Sequence, residues 1–327
     1  MGFFSKSSGL GVDLSNHHIR FIQLDGRGRV LVKKEIVLPE GLVVDEKIAD
    51  VEKLKKFLEK ETKKLPFSGQ VVETALLIPD SRVFSTSFFL DSSFKGEAMQ
   101  SQAKLHAQKE VPVPFENCLV SVVQDEREEQ GTRTTVYVAE KEIVEHKSEV
   151  FSGEAFSLAS LETNSNAVFR VVDKFLEEEH ADGLIGIVDI GHSWSTVSLF
   201  TQSGEQVFSR TLTHTAKQGS GKKRFVLSQK VVDRIMETIN EVVLYFGKQE
   251  INVSLVVLSG VEAAQKRVLE TCKKKGEKVS IKPIGKVVDI DGLSSADVHT
   301  YGACVGAALR AVNPNKFNNN HNFLTRS

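Results

Sequence analysis

Gly11-Val12-Asp13-Leu14-Ser15 opens an apolar run that continues through Ile19, Phe21, Ile22 and Leu24, meets Gly26 and Gly28, and resumes from Val30 to Leu38. The same order returns in the second half. Ile187-Val188-Asp189-Ile190-Gly191 is followed by Val197, Leu199 and Phe200, then Gly204, then Val207 to Leu212. Asp13 matches Asp189 and Gly28 matches Gly204 at one offset with no gap between. Each copy reads as strand, tight turn, strand, glycine hairpin, strand. A duplicated meander predicts two similar α/β lobes.

Helices are expected after each meander. Val51, Leu54, Leu58 and Leu65 form one apolar stripe that Pro66 closes. Val231, Val232, Ile235, Ile239, Val242, Val243 and Phe246 form a stronger one ending at Gly247. A buried strand at 254–258 runs into Ser259-Gly260, and a helix carrying Ala263, Ala264, Val268, Leu269 and Cys272 follows. Gly302, Ala303, Gly306, Ala307 and Ala308 predict a small-residue helix able to approach a sheet closely. Between the repeats lies an α+β insertion: strands at 74–78 and 83–89, a helix over about 95–109, and strands at 119–123 and 134–138. The stretch 313–327, with three consecutive asparagines, reads as a flexible tail.

Bulk properties narrow the function. The 327 residues are 40% hydrophobic and 26% charged, with net charge -1, so no basic surface calls for nucleic acid. Cys118, Cys272 and Cys304 are far apart and form no metal or redox motif. No apolar run nears the ~20 residues that span a bilayer, and the start is too short for a signal peptide. These features predict a cytoplasmic protein without a transmembrane segment. Lys273-Lys274-Lys275 reads as a solvated helix end. Gly219-Ser-Gly-Lys-Lys-Arg224 lacks P-loop spacing and reads as a hairpin tip. His17 and His18 are expected on opposite strand faces, unsuited to one metal.

Asp13-Leu-Ser-Asn-His-His-Ile-Arg-Phe-Ile-Gln-Leu24 resembles the first phosphate-binding strand pair of the type IV pilus assembly PilM family. Asp189-Ile-Gly-His-Ser-Trp-Ser-Thr196 resembles its second phosphate loop. Pro79-Asp-Ser-Arg-Val-Phe-Ser-Thr86 and the helix ending in Val111-Pro-Val-Pro114 resemble its inserted subdomain 1C, and Ala155 to Glu162 with the helix 167–176 continue the likeness. The order of these stretches covers roughly residues 1–312.

The resemblance implies an actin-like, duplicated ribonuclease H-like fold of two lobes with an inserted α+β subdomain 1C. Subdomain 1A would comprise 1–70 with 152–182, subdomain 1C 71–151, and subdomain 2A 183–312 with a minimal 2B at 213–225. It implies a protein peripheral to the inner membrane on its cytoplasmic side. That protein would dock the N-terminal peptide of a PilN-like inner-membrane protein, with indirect links to pilus motor ATPases; type II secretion platforms use the same component. The docking region is expected at 83–110. ATP and Mg²⁺ are the implied cofactors, with Asp13 and Asp189 holding the metal through water. Ser15, Asn16, Arg20, Gly191, Ser193, Ser195, Ser259 and Gly260 are the remaining nucleotide-binding candidates. Glu162 is a candidate for positioning a water.

Three departures weaken the nucleotide site. Leu14-Ser15 replaces the family's Ile-Gly, Val261-Glu262 adds bulk and charge after Ser259-Gly260, and subdomain 2B is reduced to a short segment. The expected function is therefore a docking scaffold, with any ATP binding weak and without efficient hydrolysis. The alternatives are an active actin-fold ATPase or sugar-kinase relative and an FtsA-like division protein. The latter would need a C-terminal amphipathic helix, for which 313–327 has no apolar face.

Overall fold

The structure, a computed structural model, describes residues 8–67, 69, 71–128, 131–153, 155–175, 183–214, 217–218, 225–275, 279–317 and 321–324. The chain divides into two compact units, Met1–Thr163 with Cys304–Ser327, and Asn164–Ala303.

In the first unit the elements run β1 (Ser8–Leu14), β2 (His18–Asp25), β3 (Val30–Val37), the short hairpin β4 (Val43–Val44) and β5 (Lys47–Ile48), then α1 (Val51–Thr62), β6 (Val72–Ile78) and β7 (Val83–Leu90). They continue with α2 (Gly96–Gln108), β8 (Cys118–Glu128), β9 (Gly131–Glu140), α3 (Lys141–Val150) and β10 (Phe156–Thr163). The second unit holds α4 (Asn164–Phe175), β11 (Leu184–Ile190), β12 (Trp194–Phe200), β13 (Gln206–Thr213), the short pair β14 (Lys217–Gln218) and β15 (Phe225–Val226), and α5 (Gln229–Gly247). It is completed by β16 (Val253–Ser259), α6 (Lys266–Lys275), β17 (Ser280–Pro283) and the start of α7 (Ser295–Val312).

The predicted duplication is present in the sheets. The first unit has strand order β10-β6-β1-β2-β3 and the second β13-β12-β11-β16-β17. Each has an antiparallel three-strand meander joined to parallel strands through its first member. The register repeats as well: Asp13 faces Arg20, which faces Glu35, and Asp189 faces Thr196, which faces Thr211. Gly28 (φ 83°) and Gly204 (φ 91°) sit at equivalent hairpin turns with left-handed backbone, where a Cβ would be strained.

Side-chain spacing explains the helices. α1 begins where the Asp50 carboxylate accepts from the Lys53 N–H at 2.9 Å, and it buries Leu54 and Leu58. α5 starts in the same way from Ser228 and buries Val232, Ile235, Ile239 and Val242. The small-residue helix meets its expectation in the first unit. A Cβ on Gly11 of β1 would stand 1.9 Å from the Cys304 carbonyl oxygen, and one on Gly9 would stand 2.4 Å from the Val312 nitrogen. Only glycine lets α7 lie this close to the strand.

The insertion is a three-stranded antiparallel sheet, β7-β9-β8. α2 packs Met99, Ala103 and Ala107 on Val136 and Val138 of its central strand.

Three expectations need correcting. The strand expected at 74–78 within the insertion is β6, which pairs with β1 and β10 in the five-stranded sheet. The helix expected to include Ala263 begins only at Lys266. Gly260 (φ 95°) turns the chain there, and the Glu262 N–H donates to the Ile190 carbonyl at 3.0 Å, holding the segment off a helical path. The expected flexible tail contains a packed segment: His321 and Phe323 are 1% and 6% exposed. Its polar neighbours hid this, because its anchoring partners lie far away in sequence. Residues 318–320 and 325–327 lie outside the described residues, as does the 219–224 hairpin tip.

Candidate functional site

In the first unit, the β1–β2 hairpin carries four of the nucleotide-binding candidates: Asp13 on β1, Ser15 and Asn16 in the turn, and Arg20 on β2. Asp13 is paired with Arg20 at 3.1 Å, and Arg20 also reaches Glu35 at 2.6 Å. The three side chains lie on one cross-strand rung, because the register sets Asp13, Arg20 and Glu35 opposite one another. Burial works against the Arg20 charge, but Asp13 and Glu35 more than offset it and raise its pKa. Ser15 is turned inward: its N–H donates to the His18 carbonyl at 2.9 Å and its hydroxyl to the same oxygen at 3.1 Å. The Asn16 side-chain oxygen accepts from the Glu46 N–H at 2.7 Å.

Behind this turn is a polar cluster that the sequence did not announce. Lys147 of α3 is 2% exposed and donates to the Leu77 carbonyl at 3.0 Å. Burial pushes its pKa down to about 8, against the opposing pull of Asp13 and Glu46. Burial likewise pushes Glu46 up to about 7, while its hydrogen bond from Ser81 acts in the opposite direction.

In the second unit, Asp189 is 5% exposed, with the Asn164 amide nitrogen 3.4 Å from its carboxylate. Gly191 donates to the Trp194 carbonyl at 2.9 Å and lies against the indole, closing the second loop on itself. Ser193 accepts the His214 N–H at 2.9 Å, and the Ser195 hydroxyl meets His214 Nε2 at 2.8 Å. Burial lowers the His214 pKa, favouring the neutral ring. Ser195 and Ser259 are buried, at 0% and 1% exposure. Gly260 comes up beneath Asp189, where a Cβ would stand 2.4 Å from the carboxylate oxygen and 2.5 Å from the Ile190 carbonyl oxygen. Glu262 folds over the same loop: His192 Nδ1 contacts its carboxylate, and Gln265 donates to it.

Glu162 is the candidate for positioning a water. Its side chain is fully buried and paired with Arg310 at 2.7 Å, which neutralises it. Among the described residues, no group of three or more His, Cys, Asp or Glu is arranged to hold a metal.

The insertion presents the suspected docking region. β7 is an edge strand, and Phe89, Phe94 and Leu105 are exposed at 36%, 37% and 54%. Phe88 stacks on His106 with ring centroids 3.9 Å apart, and Arg133 lies over Phe89 at 4.7 Å.

Two matching five-stranded sheets, each carrying an aspartate at the end of its first strand, define the actin-like class of α/β proteins. The chain belongs to the type IV pilus assembly protein PilM family, whose model matches residues 11–223. It is similar to the solved structure described as a PilM-PilN type IV pilus biogenesis complex, with a TM-score of 0.74 and 15% identity over 94% of this chain and 99% of that one. It is similar in fold to ethanolamine utilization protein EutJ from Carboxydothermus hydrogenoformans, with a TM-score of 0.53 and 14% identity over 92% and 89% of the two chains. No curated protein matches it.

Proposed function

We propose that this PilM-family protein is a docking scaffold that receives the N-terminal peptide of a PilN-like inner-membrane protein on its insertion, and that its nucleotide site is eroded. The observation that carries the second half is the internal pairing of Asp13 with Arg20. A carboxylate that is to hold the water shell of Mg²⁺, and a cation that is to meet phosphate, here spend their charge on each other. Ser15 and Asn16 are turned to internal partners as well. In the second unit, Glu262 brings negative charge against the loop that would carry phosphate. These residues fit Mg-ATP poorly.

The docking half rests on family membership and on likeness to a structure described as a PilM-PilN complex. An edge strand bordered by exposed Phe89 and Leu105 suits an extended, partly apolar peptide. This reading places the protein on the cytoplasmic side of the inner membrane, with motor ATPases linked to it indirectly. It agrees with the described helices, none of which is long and apolar enough to cross a membrane.

Titration of the full chain with Mg-ATP tests the erosion. No binding is expected at millimolar nucleotide. Micromolar binding that Asp13→Ala abolishes would instead restore the reading as a nucleotide-dependent ATPase.

A further inference from the structure

The net charge of -1 is unevenly distributed along the chain. Residues 266–286 carry eight lysines and arginines against two glutamates, so this stretch holds +6 and the remainder -7. α6 sorts the charge by helical spacing. Val268, Thr271 and Cys272 are buried, and Val268 and Cys272 join the apolar core of the second unit. Lys266, Glu270, Lys273 and Lys274 fall on the opposite, exposed face. Exposed Lys230 adds a further cation at the start of α5, the helix on which α6 packs. A cavity of about 450 Å³ lies where the two helices meet. It is lined by Gln229 of α5 and by polar or charged side chains of α6, among them Lys266, Glu270 and Lys274. Few of these cations are spent internally. Lys275 pairs with Asp233 at 2.7 Å, and Lys266 stands 3.6 Å from Glu270 in full contact with solvent. Lys230, Lys273 and Lys274 form no ion pair with another described residue.

We propose that this lysine face of α6 and the start of α5 is a direct contact surface for an anionic lipid bilayer. Clustered lysines are drawn to the negative potential of a leaflet that carries anionic headgroups. The chemistry of the face favours lipid over other polyanions. A protein partner is held by apolar or aromatic anchors buried at the centre of the interface, and the cavity between the two helices has none among its described lining residues. A nucleic acid is read by forked arginines or stacked on aromatic rings. The one arginine here, Arg267, donates to the Leu227 carbonyl at 2.8 Å. A fluid headgroup layer requires neither anchor nor fork, because it adapts to the compact charge at the end of each flexible lysine. The same leaflet repels the acidic remainder of the chain, so the uneven charge also sets which side faces the lipid. This contact rests on the membrane-side placement proposed above, and it belongs to a different unit from the insertion that would receive the PilN-like peptide.

The test is co-sedimentation of the full chain with vesicles, in the absence of peptide and nucleotide, so that it can fail without touching the docking or nucleotide readings. One set of vesicles is phosphatidylcholine alone, and the other is equal parts of phosphatidylcholine and phosphatidylglycerol. The chain should bind the anionic vesicles at least about tenfold more tightly than the neutral ones, and lose that preference in molar salt, where charges are screened beyond about 3 Å. The variant Lys266→Gln, Lys273→Gln and Lys274→Gln changes only exposed side chains, and circular dichroism checks its fold. It should weaken binding to the anionic vesicles at least about tenfold, whereas Lys56→Gln, Lys60→Gln and Lys63→Gln, which remove the same charge from exposed positions on and beside α1, should change it less than about twofold. No binding to anionic vesicles, equal binding to both sets, or an equal loss in the two variants overturns the proposal. Binding of an oligoglutamate peptide that the α6 variant loses, by a chain that ignores the vesicles, would make the face a protein-docking surface and also overturn it.

Discussion

Arg20 has two electrostatic partners on neighbouring strands and little contact with solvent, so removing it leaves the largely buried Asp13 carboxylate poorly compensated, while the more exposed Glu35 turns to water. Arg20→Ala is therefore expected to destabilise the protein by about 3 kcal/mol in urea denaturation, and Asp13→Ala in the same background should recover part of that loss. A loss under about 0.5 kcal/mol would mean that the rung is effectively solvated. Glu46 gives a pH signature. Its folded pKa of about 7 lies above its ordinary 4.5, so between those values the folded state binds more protons and stability falls as pH rises. Lys147 acts in the other direction: with a folded pKa near 8 against 10.5, the unfolded state binds more protons in that window and stability rises with pH. The pair predicts a local stability minimum between about pH 7 and 8. Glu46→Gln should flatten the acidic limb in melting temperatures recorded across pH 4.5 to 8, whereas an unchanged limb would show that Glu46 titrates normally. Gly260→Ala is expected to cost at least about 2 kcal/mol, read in the same assay, because both its φ of 95° and the nearby Asp189 oxygen reject a Cβ.

The strands and helices were legible in the sequence where the signal is local. Gly28 and Gly204 mark their hairpins through neighbours alone, and the offset from Asp13 and Asp189 exposes the duplication. Pro66 and the stripes on α1 and α5 work in the same way. The insertion was readable in part: the strands at 83–89 and 134–138 and the helix between them were visible locally, but the strand at 74–78 read with them is β6 of the five-stranded sheet, and the pairing of β7 with β9 at Val83–Ala139 depends on register between distant segments. Distant pairing was not legible. Nothing near Glu162 announces Arg310, and nothing near Asn322 announces Ala159 or Ser121. The site candidates stand between these cases: Asp13 was visible as a strand-end carboxylate, but its engagement by Arg20 depends on strand register and rotamer. At this scale the insertion itself can be tested. Leu105→Glu, on an exposed face of α2, should weaken binding of the PilN-like peptide at least about tenfold while leaving the melting temperature within a degree or two. Undiminished binding would move docking away from that helix.

As a whole, the molecule keeps both repeats of an actin-like architecture while committing the polar groups of each loop to internal partners. Architecture and nucleotide chemistry are separable, because the sheets are held by apolar cores of their own, whereas a phosphate site needs free backbone donors and an unneutralised carboxylate. Family membership supplies the role in pilus assembly, and the insertion exposes Phe89, Phe94 and Leu105. The most direct test of this account is one calorimetric titration of the full chain with the N-terminal peptide of its PilN-like partner, performed in the presence and absence of Mg-ATP. The account predicts binding of the same affinity in both. Binding that requires Mg-ATP, or no binding by any cognate peptide, would contradict it.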